Sequence, residues 1–197
     1  MIKNIILDMG NVLLYFRPQE SLDAFVEQEE DKQIIFKELF QGPDWIRGDK
    51  GEITNEERYE PVSKRVPQRL HTALKNVVEH WDMCMKPVLG AKEFCDYVKK
   101  KGYGLYILSN ACSRFYQYFP PVFAIEDFDG VVVSSDVKMV KPNAEIYHYI
   151  CEKYHLNPEE CLFLDDRKEN VEGAVNIGMQ GEVFWENFEE IKEKYKL

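Results

Sequence analysis

The chain has 197 residues, 35 acidic against 25 basic side chains, a net charge of −10, and 45% hydrophobic residues. That length and apolar content suit one packed domain, or a core plus a small insertion, and exclude wholesale disorder. The acidic excess argues against a non-specific nucleic-acid binder or an anionic-membrane binder, both of which need Lys and Arg to neutralise phosphates.

Residues Ile2 to Leu7 form a short β-branched run that ends at Asp8 and Gly10, the pattern of a buried strand running into a functional loop. The stretch from about Arg17 to Lys86 reads differently. It is helix-rich and highly charged, and it holds no convincing strand. Thr54 and Glu57 have capping-box spacing, and Arg47-Gly48-Asp49-Lys50-Gly51 is a turn cluster. A helical insertion after strand one follows, with the chain returning near Lys86-Pro87-Val88-Leu89-Gly90.

Beyond that point short apolar runs alternate with helical patterns. A helix is predicted over Ala91 to Lys101, stopped by Gly102, and a strand over Leu105 to Leu108 ends in Ser109-Asn110. A strand over Val131 to Val133 ends in Ser134-Ser135-Asp136, and a helix over about Ala144 to His155 follows. Cys161 to Leu164 is a strand ending in Asp165-Asp166, a helix begins after Asn170, and Glu182 to Phe184 is the last strand. Such alternation implies right-handed βαβ units and a mainly parallel sheet, so the fold class is α/β, a Rossmann-like three-layer core with an inserted helical cap. The division reads as core from residues 1–15 and 87–197 and cap from 16–86.

Ligands bind beyond the carboxyl ends of strands in such sheets. Asp8, Ser109 with Asn110, Lys141 and the Asp165-Asp166 pair would therefore meet in one crevice. Carboxylates that close repel each other unless a cation neutralises them, and hard oxygen ligands suit Mg²⁺, which in turn invites phosphate oxygens. Each residue alone has a plainer reading: an Asp after a strand is more often a turn former, and Asp165-Asp166 could cap the next helix. Lys138 rivals Lys141.

Taken together, Ile-Leu-Asp8-Met-Gly10-Asn-Val, Ile-Leu-Ser109-Asn110, Lys138-x-x-Lys141-Pro142 and Phe-Leu-Asp165-Asp166-x-x-x-Asn170 resemble, in order and spacing, the four motifs of the haloacid dehalogenase superfamily of hydrolases. The insertion resembles that family's helical cap. The Asp-x-Gly-Asn-Val form is similar to a bacterial branch that includes sugar-phosphate phosphatases such as α-glucose-1-phosphate phosphatase. The resemblance implies Asp8 as the nucleophile, with an aspartyl-phosphate intermediate. It implies Mg²⁺ held by Asp8, the Gly10 carbonyl, Asp166 and, directly or through water, Asp165. Ser109 and the Asn110 amide would bind phosphoryl oxygens, and Lys141 would screen charge between the nucleophile and the phosphoryl group.

One departure matters, because most phosphatases of this superfamily carry a second Asp at the position that here is Gly10. The expected reaction is Mg²⁺-dependent hydrolysis of a small phosphorylated metabolite, such as a sugar 1-phosphate with its better leaving group. Two rivals are halide displacement from a 2-haloacid, and a binding or regulatory protein that has lost turnover along with the acid at Gly10. The five cysteines, Cys84, Cys95, Cys112, Cys151 and Cys161, are scattered and suit reduced thiols. With no signal-like or membrane-spanning run, the expectation is a cytoplasmic monomer or weak homodimer.

Overall fold

The computed structural model describes residues 1–197. Five parallel strands, β1 (Asn4–Leu7), β2 (Gly104–Ser109), β3 (Gly130–Val133), β4 (Cys161–Asp165) and β5 (Gln180–Val183), lie in the order β3-β2-β1-β4-β5. The first strand is thus central. The strand sequences explain why, since Ile5, Ile6, Leu7, Leu105, Ile107, Leu162 and Phe163 are all fully buried and only a sheet covered on both faces can bury consecutive apolar residues. Burying such a side chain contributes roughly 1.5–3 kcal/mol.

Alternate residues feed opposite layers. Ile6, Tyr106, Leu108 and Phe163 pack with Ile146, Tyr147, Ile150 and Ala174 on one face. Ile5, Leu7, Leu105, Ile107, Leu162 and Leu164 join the cluster on the other, which contains Phe94, Val98, Phe188 and Ile191 and continues without a break into the insertion through Leu22, Val62 and Leu74.

Between β1 and β2 the chain forms α1 (Pro18–Phe25), α2 (Glu29–Ile35), α3 (Pro43–Asp49), α4 (Tyr59–Ser63) and α5 (His71–His80), with no strand among them, before α6 (Ala91–Lys100) returns it to the sheet. The core continues with α7 (Phe115–Tyr118), α8 (Ser134–Val137), α9 (Ala144–Tyr154), α10 (Lys168–Asn176) and α11 (Phe188–Tyr195). The two ends of the helical insertion are held side by side, as Tyr15 N–H donates to Lys86 O at 2.7 Å and Val88 N–H donates to Leu13 O at 2.9 Å. Thr54 and Glu57 form the reciprocal cap that their spacing predicts, Thr54 N–H to Glu57 Oε2 at 2.7 Å and Glu57 N–H to Thr54 Oγ1 at 3.3 Å.

Several element bounds differ from the sequence reading by a few residues. Helix α10 starts at Lys168 rather than after Asn170, because its first turn, Lys168 and Glu169, is exposed and carries no apolar period to announce it. Strand β5 starts at Gln180, two residues early, its first residue exposed at the sheet edge. No helix is long and apolar enough to cross a membrane. All five cysteines are free and buried.

Candidate active site

The carboxyl ends of β1, β2 and β4 open into a cavity of about 510 Å³ whose floor includes Asp8, Gly10, Asn110, Lys141 and Asp166. The parallel register explains why these residues meet. Leu7 pairs with Ile107 and with Leu164, so Asp8 stands level with Leu108 and Asp165, and Ser109-Asn110 and Asp166 follow within two residues of that level. Lys141 reaches the floor from the loop after α8. Its buried ammonium donates to Asp8 Oδ1 at 2.6 Å, to Asp165 Oδ2 at 2.6 Å and to Leu108 O at 2.8 Å. Burial works against that cation, but the two carboxylates prevail and raise its pKa. Lys138, the rival, is exposed.

The carboxylates divide the work. Asp165 is completely buried and both its oxygens are engaged, Oδ1 by Arg167 N–H at 2.9 Å and Asn170 Nδ2 at 3.0 Å, Oδ2 by Lys141 and by Asn170 Nδ2 at 3.0 Å. Asp8 keeps Oδ2 free of hydrogen bonds. Asp166 uses one oxygen, accepting from Asn11 Nδ2 at 2.8 Å. Asp8, Asp165 and Asp166 each offer an oxygen within 4.8 Å of the others, a spacing a divalent cation could bridge. Burial pushes the Asp8 carboxyl up to about 7, the pull of Lys141 being outweighed once the charges of Asp165 and Asp166 are added. Burial raises Asp166 as well. A cation here would reverse that repulsion.

The donor set therefore fits a hard cation through the Asp8 carboxylate, Asp166 and the Gly10 carbonyl, which accepts no hydrogen bond from the protein. Asp165, implied as a ligand directly or through water, has both oxygens engaged by hydrogen bonds. It anchors Lys141. Ser109 Oγ is buried with no hydrogen-bond partner, an orphan that a phosphoryl oxygen would satisfy.

The two amides of Asn110 differ in availability. Its side-chain amide is consumed by the main chain of Lys141, Nδ2 to Lys141 O at 2.9 Å and Lys141 N–H to Oδ1 at 2.9 Å. Only its main-chain N–H remains for a phosphoryl oxygen, and the side chain positions Lys141 instead.

Three residues escaped sequence reasoning. Asn11 sits at φ +54° and holds the loop after β1 to Asp166 and to Phe16 N–H, which donates to Asn11 Oδ1 at 2.9 Å; Asn tolerates that left-handed conformation better than most residues, the one signal that could have flagged it. Arg58 is fully buried in the helical insertion, its guanidinium over the Trp45 ring at 4.1 Å. Asp49, at the end of α3, lines the same cavity. Trp45 and Trp81 line it too, with Phe16, Phe40 and Tyr118, as a roof of mutually packed rings. Tyr15, Arg47 and Tyr59 do not line it. Cys112 does, but burial raises its thiol pKa and keeps it unreactive.

Burial pushes Asp49 up to about 6, against the opposing charges of Arg58 and Arg167. Between about pH 4 and pH 6 the folded chain therefore holds a proton that the unfolded chain has released, so this group makes the fold lose stability as pH rises across that window, by about 3 kcal/mol in all. Asp49→Asn is expected to remove that slope. Melting temperatures of both proteins across pH 4 to 7 check it, and parallel curves would refute it.

Comparison with known proteins agrees with this geometry. A family model described as haloacid dehalogenase-like hydrolase matches residues 2–178. The chain is 25% identical over 180 residues to a sesquiterpene phosphatase of Aspergillus oryzae, covering 91% of this chain and 88% of that protein. It is also 25% identical over 204 residues to a D-ribitol-5-phosphate phosphatase of Bacteroides thetaiotaomicron, covering 91% and 90%. Among solved structures, a HAD family enzyme of Bacteroides thetaiotaomicron in complex with magnesium and inorganic phosphate has the same fold, with a TM-score of 0.71 at 21% identity over 95% of this chain and 96% of that one.

Proposed function

We propose a function that proceeds from family: the chain belongs to the haloacid dehalogenase-like hydrolases. It is a Mg²⁺-dependent phosphatase that hydrolyses a small phosphorylated metabolite through an aspartyl-phosphate on Asp8. The observation that carries this reading is the floor itself, where a carboxylate with one free oxygen sits beside a buried ammonium and a second carboxylate, with an orphaned serine hydroxyl at the end of β2. Relatives that are phosphatases support it.

Asp8 Oδ2 attacks phosphorus, and the phosphorus–oxygen bond to the alcohol breaks; water then attacks phosphorus and returns the carboxylate. Lys141 holds Asp8 Oδ1, which fixes the other oxygen as the attacking one. Ser109 Oγ and the Asn110 N–H receive phosphoryl oxygens. Asp8, Asp166 and the Gly10 carbonyl would hold the Mg²⁺, which when bound neutralises the phosphoryl charge that these carboxylates would otherwise repel.

The substrate reading from the sequence is a sugar phosphate such as a sugar 1-phosphate, and the polyol phosphate hydrolysed by one relative supports it. The ring-lined roof favours a second reading, an alcohol with a large apolar face, as does the relative that acts on a sesquiterpene.

Phosphate release from a panel of sugar, polyol and isoprenoid monophosphates, with Mg²⁺ and with EDTA, tests the function. The expected result is release from at least one class that EDTA abolishes and Mg²⁺ restores. Turnover that survives EDTA would overturn the metal role and shift the reading toward metal-free displacement at Asp8.

A further inference from the structure

Phosphoryl transfer to Asp8 leaves an alkoxide that needs a proton, and the second step needs a base for water. Gly10 supplies neither. A Cβ built on Gly10 would meet only Asp8 Oδ2, at 3.6 Å, so a side chain has room there and the chain does without one. Apart from the cluster around Asp8, the titratable groups lining the cavity are Asp49, Cys112, Tyr118 and Arg167. Burial raises Cys112 and carries Tyr118 far above its ordinary value, and a guanidinium does not deprotonate.

We propose that Asp49, carried into the cavity by the cap, is the general acid and base of the reaction. The proposal rests on the phosphatase reading above.

The geometry around Asp49 is that of a fixed group. Ser134 Oγ, at the end of β3, donates to Asp49 O at 2.5 Å and ties the cap turn to the core. Gly51, at φ +66°, lies so near the core that a Cβ there would stand 2.2 Å from Ser135 O. Any side chain would push the turn away. Gly48 has the same property toward Arg58, whose Nη2 would stand 2.1 Å from a Cβ.

Arg58 therefore lies along the turn, and its Nη2 approaches Asp49 Oδ1 only to 3.4 Å while also donating to Trp45 O at 3.2 Å. That contact is too long to hold the carboxyl fully ionised. Four chargeable groups face Asp49: Arg58 from the segment before α4, Arg167 from the loop after β4, and Tyr118 and Cys112 from the core beside α7. Asp49, Tyr118 and Asp8 all line the one cavity. With its pKa near 6 the Asp49 carboxyl can both give and take a proton near neutrality.

In the first step Asp8 Oδ2 bonds to phosphorus, the alkoxy oxygen leaves with the bonding pair, and Asp49 transfers its proton to that oxygen to release the alcohol. In the second, Asp49 as carboxylate takes a proton from the attacking water, the water oxygen bonds to phosphorus, and the pair of the phosphorus–Asp8 bond returns to Asp8. Inorganic phosphate leaves and Asp49 is again protonated.

The experiment compares kcat/KM of the Mg²⁺-supplied parent, Asp49→Asn and Asp49→Glu on a simple alkyl phosphate and on p-nitrophenyl phosphate, whose leaving group departs without a proton. For Asp49→Asn the alkyl value is expected to fall about 10²–10⁴-fold while the aryl value changes less than about threefold. The aryl reaction should then show a burst of nitrophenol, since the second step has lost its base. Asp49→Glu, which keeps the carboxyl, should retain the preference for acid help, and the fall of alkyl turnover at high pH seen in the parent should be missing in Asp49→Asn. Equal losses on both esters would make Asp49 a purely structural residue and overturn the proposal, as would unchanged alkyl turnover. A parent that hydrolyses neither ester nor any phosphate of the panel would overturn the phosphatase reading, a distinct outcome.

Discussion

Asp8→Asn is expected to lower phosphate release by about 10⁴–10⁶-fold, the range found when a group at the centre of a covalent mechanism is removed. Asparagine keeps the shape of the side chain and can still meet Lys141, yet an amide oxygen does not form an acyl phosphate that water can reopen. The fold should survive. Lys141 retains Asp165 as a partner at 2.6 Å, and an Asp8 carboxyl pushed up to about 7 is a group whose ionised form the folded state disfavours. The melting temperature is therefore expected to be unchanged or higher. Phosphate release alongside a hydroxylamine-sensitive phosphate label on the chain separates the outcomes: full activity, or a label that persists in Asp8→Asn, would sink Asp8 as the nucleophile.

Lys141→Met should damage both stability and activity. The ammonium is 1% exposed and lies between two carboxylates, 2.6 Å from each. Removing it leaves Asp8 and Asp165 facing each other in a buried pocket, and breaking a buried ion pair from one side costs about 3–5 kcal/mol. For a chain of this length that lowers the melting temperature by roughly 6–20 °C. Turnover is expected to fall by about 10²–10³-fold or more, the cost of losing one preorganised donor at a developing charge. Methionine preserves the apolar stem, so the loss reports the charge. The double variant Lys141→Met with Asp165→Asn should recover part of the stability, because it removes the carboxylate left without a partner, and little of the activity. A single variant as stable as the parent would show that the triad is not a buried electrostatic unit.

Much of this site was legible in the chain because its parts are local. A β-branched run followed by Asp8, another followed by Ser109-Asn110 and a third followed by Asp165-Asp166 each declare a strand and what stands at its end, and a parallel sheet with β1 at its centre can only bring those ends together. Lys141 was legible from its motif. Its partners were not, because three hydrogen bonds to Asp8, Asp165 and Leu108 depend on how a loop folds back over the sheet. The division of labour between Asp165 and Asp166 was hidden for the same reason. Adjacent residues in one loop point different ways, and only the packing of α10, which brings Asn170 under Asp165, decides which one is saturated.

The insertion marks the boundary of what sequence can say. Its composition determined that it is helical and charged, and the Thr54–Glu57 cap was visible as a spacing. Helical period reports which face is buried, not what that face is buried against. Trp45, Trp81 and Asp49 belong to a cavity only because the turn from Gly48 to Gly51 docks on Ser134 and Ser135, some 85 positions away along the chain. The parallel sheet and the chemistry-bearing residues at its strand ends were thus written in the sequence by itself, each in a few neighbouring residues, whereas the strand order was not. That Asp49 lines the same cavity as Asp8 was decided by tertiary structure alone, because contacts between distant segments are set by the closure of the whole fold rather than by any local preference.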